Sequence, residues 1–291
     1  MSVAGTVLKN SEKHILVIKE KKKIGPFELN SIIYSDCIEG MKKLPNESVD
    51  LAIVDPPYNL SKGANWKWDN SIKLPGMGGN WEKVMASWDN MPATEYFKFC
   101  INWLSEIKRV VRPTGSIWIH GTYHNIGIIN FALQMLNIEI INEVIWFKRN
   151  SFPNLSGRRL TASHESIIWA HVGKKRKYFF NYEYSKNIIC TEDRLKSQGK
   201  QMRTVWDIPN NKGREELVYG KHPTQKPLRL LKRMIEISTQ RNDVCLVPFS
   251  GSGSECYAAV ISGRKYIGFE NDKKYLEISK KRLESVTKTK S

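Results

Sequence analysis

Paired cysteines, metal-ligand clusters and long apolar runs are all missing from this chain. Its five cysteines (Cys37, Cys100, Cys190, Cys245, Cys256) are odd in number and scattered, with no Cys-x-x-Cys among them. That pattern excludes a disulfide scaffold and predicts reduced, mostly buried thiols in a cytoplasmic protein. His120 and His124 sit at helical spacing, but no cysteine or acid cluster joins them, so no metal site is expected. No apolar run approaches the ~20 residues of a spanning helix, so no membrane role is expected. The apolar core at 14–18, followed by Lys19-Glu20-Lys21-Lys22-Lys23, is too short for a signal peptide. Neither an internal repeat nor a low-complexity tract is visible.

Acidic residues are scarce beside basic ones: Asp+Glu 29 against Lys+Arg 46, a net charge of +17. A field that positive points to a polyanionic partner, with counterion release from phosphates dominating affinity. The length of 291 residues suits one large α/β domain with an insertion.

What is present alternates between short β-branched runs and amphipathic segments. Residues 1–29 read as a basic, loosely packed arm. Strands are predicted over 30–35, 49–54, 115–120, 140–148, 165–171, 243–247 and 265–269. Helices are predicted over 38–44, 94–111, 125–136, 227–239, 255–261 and 273–285, the rhythm of stacked βαβ units. Two stretches break it. Residues 59–92 hold four glycines and four of the nine tryptophans, and read as a flap over a site. Residues 173–221 hold twelve Lys/Arg, six Asp/Glu and seven aromatics without an apolar period. They read as an inserted module, in which Lys174, Lys175 and Arg176 beside Tyr178, Phe179 and Phe180 suit phosphate contact and stacking, although a solvated charged hairpin has the same composition.

Asp55-Pro56-Pro57-Tyr58 closes the strand over 49–54. The prolines stop the strand and restrict the backbone, which sets Asp55 and Tyr58 at the carboxyl edge of a parallel sheet, where open α/β folds bind ligands. A flat ring bearing an exocyclic amine suits that rim: Tyr58 offers a face, and Asp55 and the Pro56 carbonyl offer acceptors. Further on, Pro248-Phe249-Ser250-Gly251-Ser252-Gly253-Ser254 joins a strand to a helix. Glycines allow close backbone approach to a ligand, and the helix start supplies amide donors. Glu270, followed by Asn271, ends the next strand roughly 20 residues on, the usual place for a ribose acceptor. A nucleoside-containing cofactor is implied.

These motifs resemble the β-group of DNA adenine-N6 methyltransferases. Asp-Pro-Pro-Tyr is that family's catalytic signature, and His222-Pro223-Thr224-Gln225-Lys226-Pro227 is similar to the motif ahead of its cofactor loop. Asp36-Cys37 matches the acidic strand end that reads the cofactor adenine. Gly121 to Ile126, Pro153-Asn154, Gly157-Arg158-Arg159, His164-Glu165 and Gln201-Met202-Arg203 resemble the HinfI and CcrM branch, with the DpnA type nearby.

The resemblance implies a doubly wound, mostly parallel, seven-stranded Rossmann-like sheet with an inserted DNA-recognition segment. A catalytic part (30–172) and a cofactor part (222–291) would form one domain around the insert at 173–221. It implies direct methyl transfer from S-adenosyl-L-methionine to N6 of a flipped-out adenine in double-stranded DNA. Asp55, Pro56, Pro57 and Tyr58 carry the chemistry. Asp36, Cys37, Asp55, Thr224, Lys226, the 248–254 turn, Glu270 and Asn271 hold the cofactor. Arg158, Arg159, His164, Lys174, Lys175, Arg176 and Arg203 are the candidate DNA contacts. A short site such as GANTC or GATC follows from the likeness, as does a nucleoid-associated, prokaryotic or phage-type setting. A homodimer and a cognate restriction endonuclease at the same site stay open, as do a catalytically weakened DNA-binding relative, cytosine-N4 methylation, and RNA or protein glutamine as substrate.

One position departs from the family. An Asp precedes Pro-Phe there and accepts from the cofactor's methionine ammonium; here Val247 stands in its place. Losing a charge-assisted hydrogen bond costs roughly 1.5–3 kcal/mol, or one to two decades in affinity. Weak cofactor binding is therefore expected unless another acceptor substitutes. Cofactor titration of Val247→Asp checks this: a gain of that size supports the expectation, and no gain sinks it.

Overall fold

Apolar residues on both sides of a strand require a helical layer on each face of its sheet. The central strand has that pattern. In the computed structural model, which describes residues 22–59, 91–151, 153, 158–174, 177–210, 214–220 and 225–288, Ala52 and Val54 face one core and Leu51 and Ile53 the other.

In chain order the elements are β1 (Lys23–Ile24), β2 (Phe27–Glu28), β3 (Ser31–Tyr34), α1 (Cys37–Lys42), β4 (Val49–Val54), α2 (Ala93–Val110), β5 (Val111–Gly121), α3 (Ile126–Met135), β6 (Glu139–Phe147) and β7 (His164–His171). They continue as α4 (Tyr182–Asn187), β8 (Val205–Asp207), α5 (Arg214–Leu217), α6 (Leu228–Ser238), β9 (Val244–Val247), α7 (Ser254–Ile261), β10 (Lys265–Glu270) and α8 (Lys273–Lys288).

The main sheet runs β3-β10-β9-β4-β5-β7-β6-β8. β7 alone opposes the others, being antiparallel to both β5 and β6. The mostly parallel sheet expected from the sequence is present, with eight strands instead of seven. The eighth is β8, which pairs parallel to β6 from within the stretch read as an insert. Helices α1, α2 and α3 bury Met41, Trp103, Ile107 and Leu133 on one face. Helices α6 and α7 bury Leu230, Met234 and Ala258 on the other.

The chain runs from β4 to β5 on one side and from β9 to β10 on the other. Strand order thus reverses between β4 and β9, and a crevice opens there beyond their carboxyl ends. Asp50 stitches that junction: its Oδ2 accepts from the Val244 amide at 2.8 Å, and its Oδ1 pairs with Arg112.

Two readings of the sequence need correction. Residues 22–29, assigned to a loose arm, form a hairpin turned by Gly25 at φ +54°, with Ile24 buried and Phe27 edge-on to Phe269 at 5.6 Å. Two of the three aromatics expected to stack on bases face inward: Tyr178 meets Trp169 edge-on at 5.4 Å, and Phe180 lies 5.7 Å from it. Trp206 and Ile208 are core residues. A 3.6- or 2-residue period was not visible because these side chains pack from irregular backbone. The flap reading falls outside the described residues, apart from its ends, where the Asn59 side chain exchanges two 2.8 Å hydrogen bonds with the Met91 backbone. Among the described residues, no helix is long and apolar enough to cross a membrane.

Arg233 on α6 and Asp193 lie 2.5 Å apart, each with a side chain 1% exposed, and the guanidinium stacks over Trp206 at 5.0 Å. This pair fastens residues 182–207 to the sheet. Asp193→Ala strands a buried cation, so stability falls by about 3–5 kcal/mol, read from the midpoint of urea unfolding.

Candidate active site

The carboxyl ends of β4, β5, β9 and β10 form one rim, and most of the residues singled out by sequence meet there. Because Ala52 pairs with Leu246, the residues following β4 and β9 emerge side by side. Asp55 thus stands beside the 248–253 turn. The Pro57 carbonyl is taken by Tyr96 Oη at 2.7 Å, itself bonded by Asn125 Nδ2 at 3.0 Å. Among the described residues nothing donates to the Pro56 carbonyl, which leaves an acceptor beside Asp55.

Lys226 reaches this point from just ahead of α6. Its ammonium lies 3.0 and 2.9 Å from the two Asp55 oxygens, 2.7 Å from Tyr58 Oη and 3.6 Å from Glu165 Oε2. Tyr58 Oη donates to Asp55 Oδ1 at 2.5 Å, and Lys148 holds Glu165 at 2.9 Å. Burial pulls the Lys226 amine down, but Asp55 and Glu165 outweigh it and raise it above its ordinary value. Burial pushes Glu165 up, yet Lys226 and Lys148 together hold it below. Burial, then the charges of Asp55 and Glu165, lift the Tyr58 phenol far above its usual range, so it stays protonated. Tyr58 is buried, with the Lys226 ammonium beyond its hydroxyl, 5.0 Å from the ring centre.

The glycine turn is built around its backbone. Gly251 and Gly253 take φ of 49° and 77°, and a Cβ on Gly253 would lie 2.8 Å from that of Ser279. No other residue fits there. Glu270 accepts from the Gly251 amide at 2.6 Å and the Asp272 amide at 2.8 Å; burial still raises its carboxyl above its ordinary value. Asp36 sits at the neighbouring strand end and caps α1 through Ile38 and Glu39, while burial and Asp36 push the Cys37 thiol up to about 12. Ser250, Ser252 and Ser254 are buried; Arg282 secures the turn through the Ser252 carbonyl at 2.9 Å. Phe249 turns its ring inward, towards Trp103 at 6.0 Å. Asn271 is exposed beside Glu270, and Thr224 falls outside the described residues.

The candidate DNA contacts divide. The β6–β7 connection opens on the same rim as Asp55 because β7 runs antiparallel, and it carries Arg158 and Arg159 with His164 at its end, all exposed. Arg159 donates to the exposed Tyr123 at 3.3 Å. Lys174 lies at the opposite rim, since Gly173 abuts the Pro113 carbonyl near the start of β5. Arg203 precedes β8 on the outer flank and donates to the Leu195 carbonyl at 3.3 Å. Lys175 and Arg176 fall outside the described residues.

A family model described as DNA methylase matches residues 49–281. The chain belongs to the N6/N4 DNA methylase family. It is 39% identical over 270 residues to the Type II methyltransferase M.HinfI of Haemophilus influenzae, covering 91% of this chain and 71% of that one. It is 38% identical over 258 residues to M2.MboI of Moraxella bovis, covering 88% of each. Among solved structures, a complex of M1.HpyAVI with S-adenosylmethionine superposes with TM-score 0.61 at 27% identity, covering 87% of this chain and 98% of that one. The cytosine-N4-specific PvuII methyltransferase shares the fold, with TM-score 0.65 at 18% identity and coverage of 89% and 90%.

Sequence reasoning gave no role to several buried groups of this methylase. Glu165 braces Lys226 and is itself held by Lys148; Glu165 stood in a motif of the resemblance without a role, and Lys148 showed only as a charge at the end of an apolar strand. His120 lies wholly buried beside them, both ring nitrogens without a partner among the described residues; burial, then Lys226, hold it down to about 3 and neutral. Glu255 is buried in the first turn of α7.

Lys226→Met leaves Asp55 and Glu165 facing each other without their shared cation, at a cost of about 3–5 kcal/mol at neutral pH. Because Lys226 helps depress Glu165 below its ordinary 4.5, the stabilisation exists above that pH and is lost as pH falls through the folded value. Melting temperatures of wild type and variant therefore converge as pH drops below 4.5.

Proposed function

We propose that this methylase transfers the methyl group of S-adenosyl-L-methionine to N6 of an adenine flipped out of duplex DNA. The carrying observation is that Asp55 and the glycine turn flank the crevice where strand order reverses.

The crevice suits the cofactor. Its two acids at adjacent strand ends, Asp36 and Glu270, match adenosine's amine and hydroxyls, and the Cβ-free turn at Gly251 and Gly253 admits close approach. When bound, the group supplies an electrophilic methyl. Asp55, Lys226 and Tyr58 act at the other side of the crevice. Two carboxylate oxygens offer about four acceptor sites; Lys226 takes one on each and Tyr58 takes a second on Oδ1. One site on Oδ2 remains for an N6 hydrogen, and the Pro56 carbonyl takes the other. Paired acceptors favour a pyramidal nitrogen and stabilise the positive charge that grows on it. Lys226 and Tyr58 fix the carboxylate before reaction, so little reorganisation is needed. Arg158 and Arg159 lie on the same rim and suit the backbone phosphates of a duplex whose target base has been everted. The net charge of +17 supports the same partner.

Unmethylated duplex DNA incubated with labelled cofactor is expected to yield N6-methyladenine. Asp55→Ala should slow transfer by about 10²-fold or more. Label appearing as N4-methylcytosine, or in RNA and not DNA, overturns the substrate; no label at all identifies a DNA-binding relative without activity.

A further inference from the structure

An acid in the first turn of a helix ordinarily faces water, where the helix dipole favours it. Glu255 is the second residue of α7 and only 5% exposed. The charged groups facing it come from three other elements: Asp55 after β4, Lys226 ahead of α6 and Arg282 on α8. Both cations are committed elsewhere. Lys226 serves Asp55 and Tyr58, and Arg282 serves the Ser252 carbonyl and Gln225 Oε1 at 2.9 Å each. Among the described residues no side chain donates a hydrogen bond to the Glu255 carboxylate.

A buried carboxylate held by its own backbone amide and by no side-chain donor is costly unless something else meets it. Around Glu255 the carboxylates of Asp55, Glu165 and Glu255 face three cations, Lys226, Lys148 and Arg282, each already bonded to another acceptor, so a cationic ligand seated on Glu255 displaces none of them. Position 247, where the family pattern has an acid, is a fully buried valine on the face that α7 covers. Glu255 therefore approaches the crevice from the side on which that acid would stand.

We propose that Glu255 is the carboxylate that receives the ammonium group of S-adenosylmethionine in this chain, in place of an acid at position 247. The inference rests on the methyl-donor reading above. Burial, then the charge of Asp55, hold Glu255 up at about 7. A cation seated on it favours the ionised form, so binding releases a proton when pH is near or below that value, and affinity rises with pH until it is passed.

Three probes separate the parts of the cofactor: S-adenosylmethionine, S-adenosylhomocysteine, which keeps the ammonium and lacks the sulfonium charge, and 5′-methylthioadenosine, which lacks the amino acid. In calorimetric titrations of the full chain, Glu255→Gln should weaken the first two about tenfold or more and leave the third unchanged. With Glu255 as the substitute acceptor, Val247→Asp should add little to wild type, in place of the gain expected from the sequence alone, but restore binding to Glu255→Gln. Wild type titrated in buffers of different ionisation heat should release a fraction of a proton with the first two probes near pH 7, a readout that needs no variant to fold.

Equal affinities in Glu255→Gln and wild type, equal loss of all three probes, loss confined to S-adenosylmethionine, or no proton release each overturn the assignment. If wild type binds none of the three, the methyl-donor reading itself fails, an outcome distinct from a wild type that binds and a variant that binds equally well.

Discussion

The buried ammonium of Lys226 is the point on which the site depends. It joins the end of β4 to the start of β7 and to the segment entering α6, so residues 171 positions apart share one ion pair. Such a contact holds only when every partner is in place, because each charge has lost its water. The Asp55 carboxylate is thereby fixed by the tertiary fold itself, with Tyr58 and Glu165 closing the ring of contacts.

Sheet topology decides what surrounds that point. Reversal of strand order between β4 and β9 opens the crevice, and the antiparallel run of β7 returns the 148–163 connection to the same edge. One rim therefore carries Asp55 and the Pro56 carbonyl, the glycine turn and two arginines. The same reversal of β7 carries Lys174 to the far edge, which divides basic residues that look alike in composition. On the outer flank, the Arg233–Asp193 pair and the Trp206 ring bind an irregular stretch into the core, where β8 adds an eighth strand.

Much of this was legible residue by residue. Asp55-Pro56-Pro57-Tyr58, the turn at 248–254 and Glu270 are local signals, each a strand end followed by a chain-reversing motif, and each falls where expected. Asp36 was legible for the same reason. Lys226 was legible as part of a motif but not as the partner of Asp55. Glu255 carried no signal, since an acid at a helix start is ordinary until its burial is known. The aromatics of 178–206 were ambiguous because alternation with lysine describes both a binding surface and the edge of a core.

The sequence by itself determined the layered α/β pattern, the positions of the strand ends and the chemical types offered there, because periodicity, glycine and proline act over a few residues. Only the tertiary structure decided which of those ends are neighbours, which cation serves which carboxylate and which charges lose their water. Those outcomes depend on strand order and burial, and neither is set by spacing along the chain.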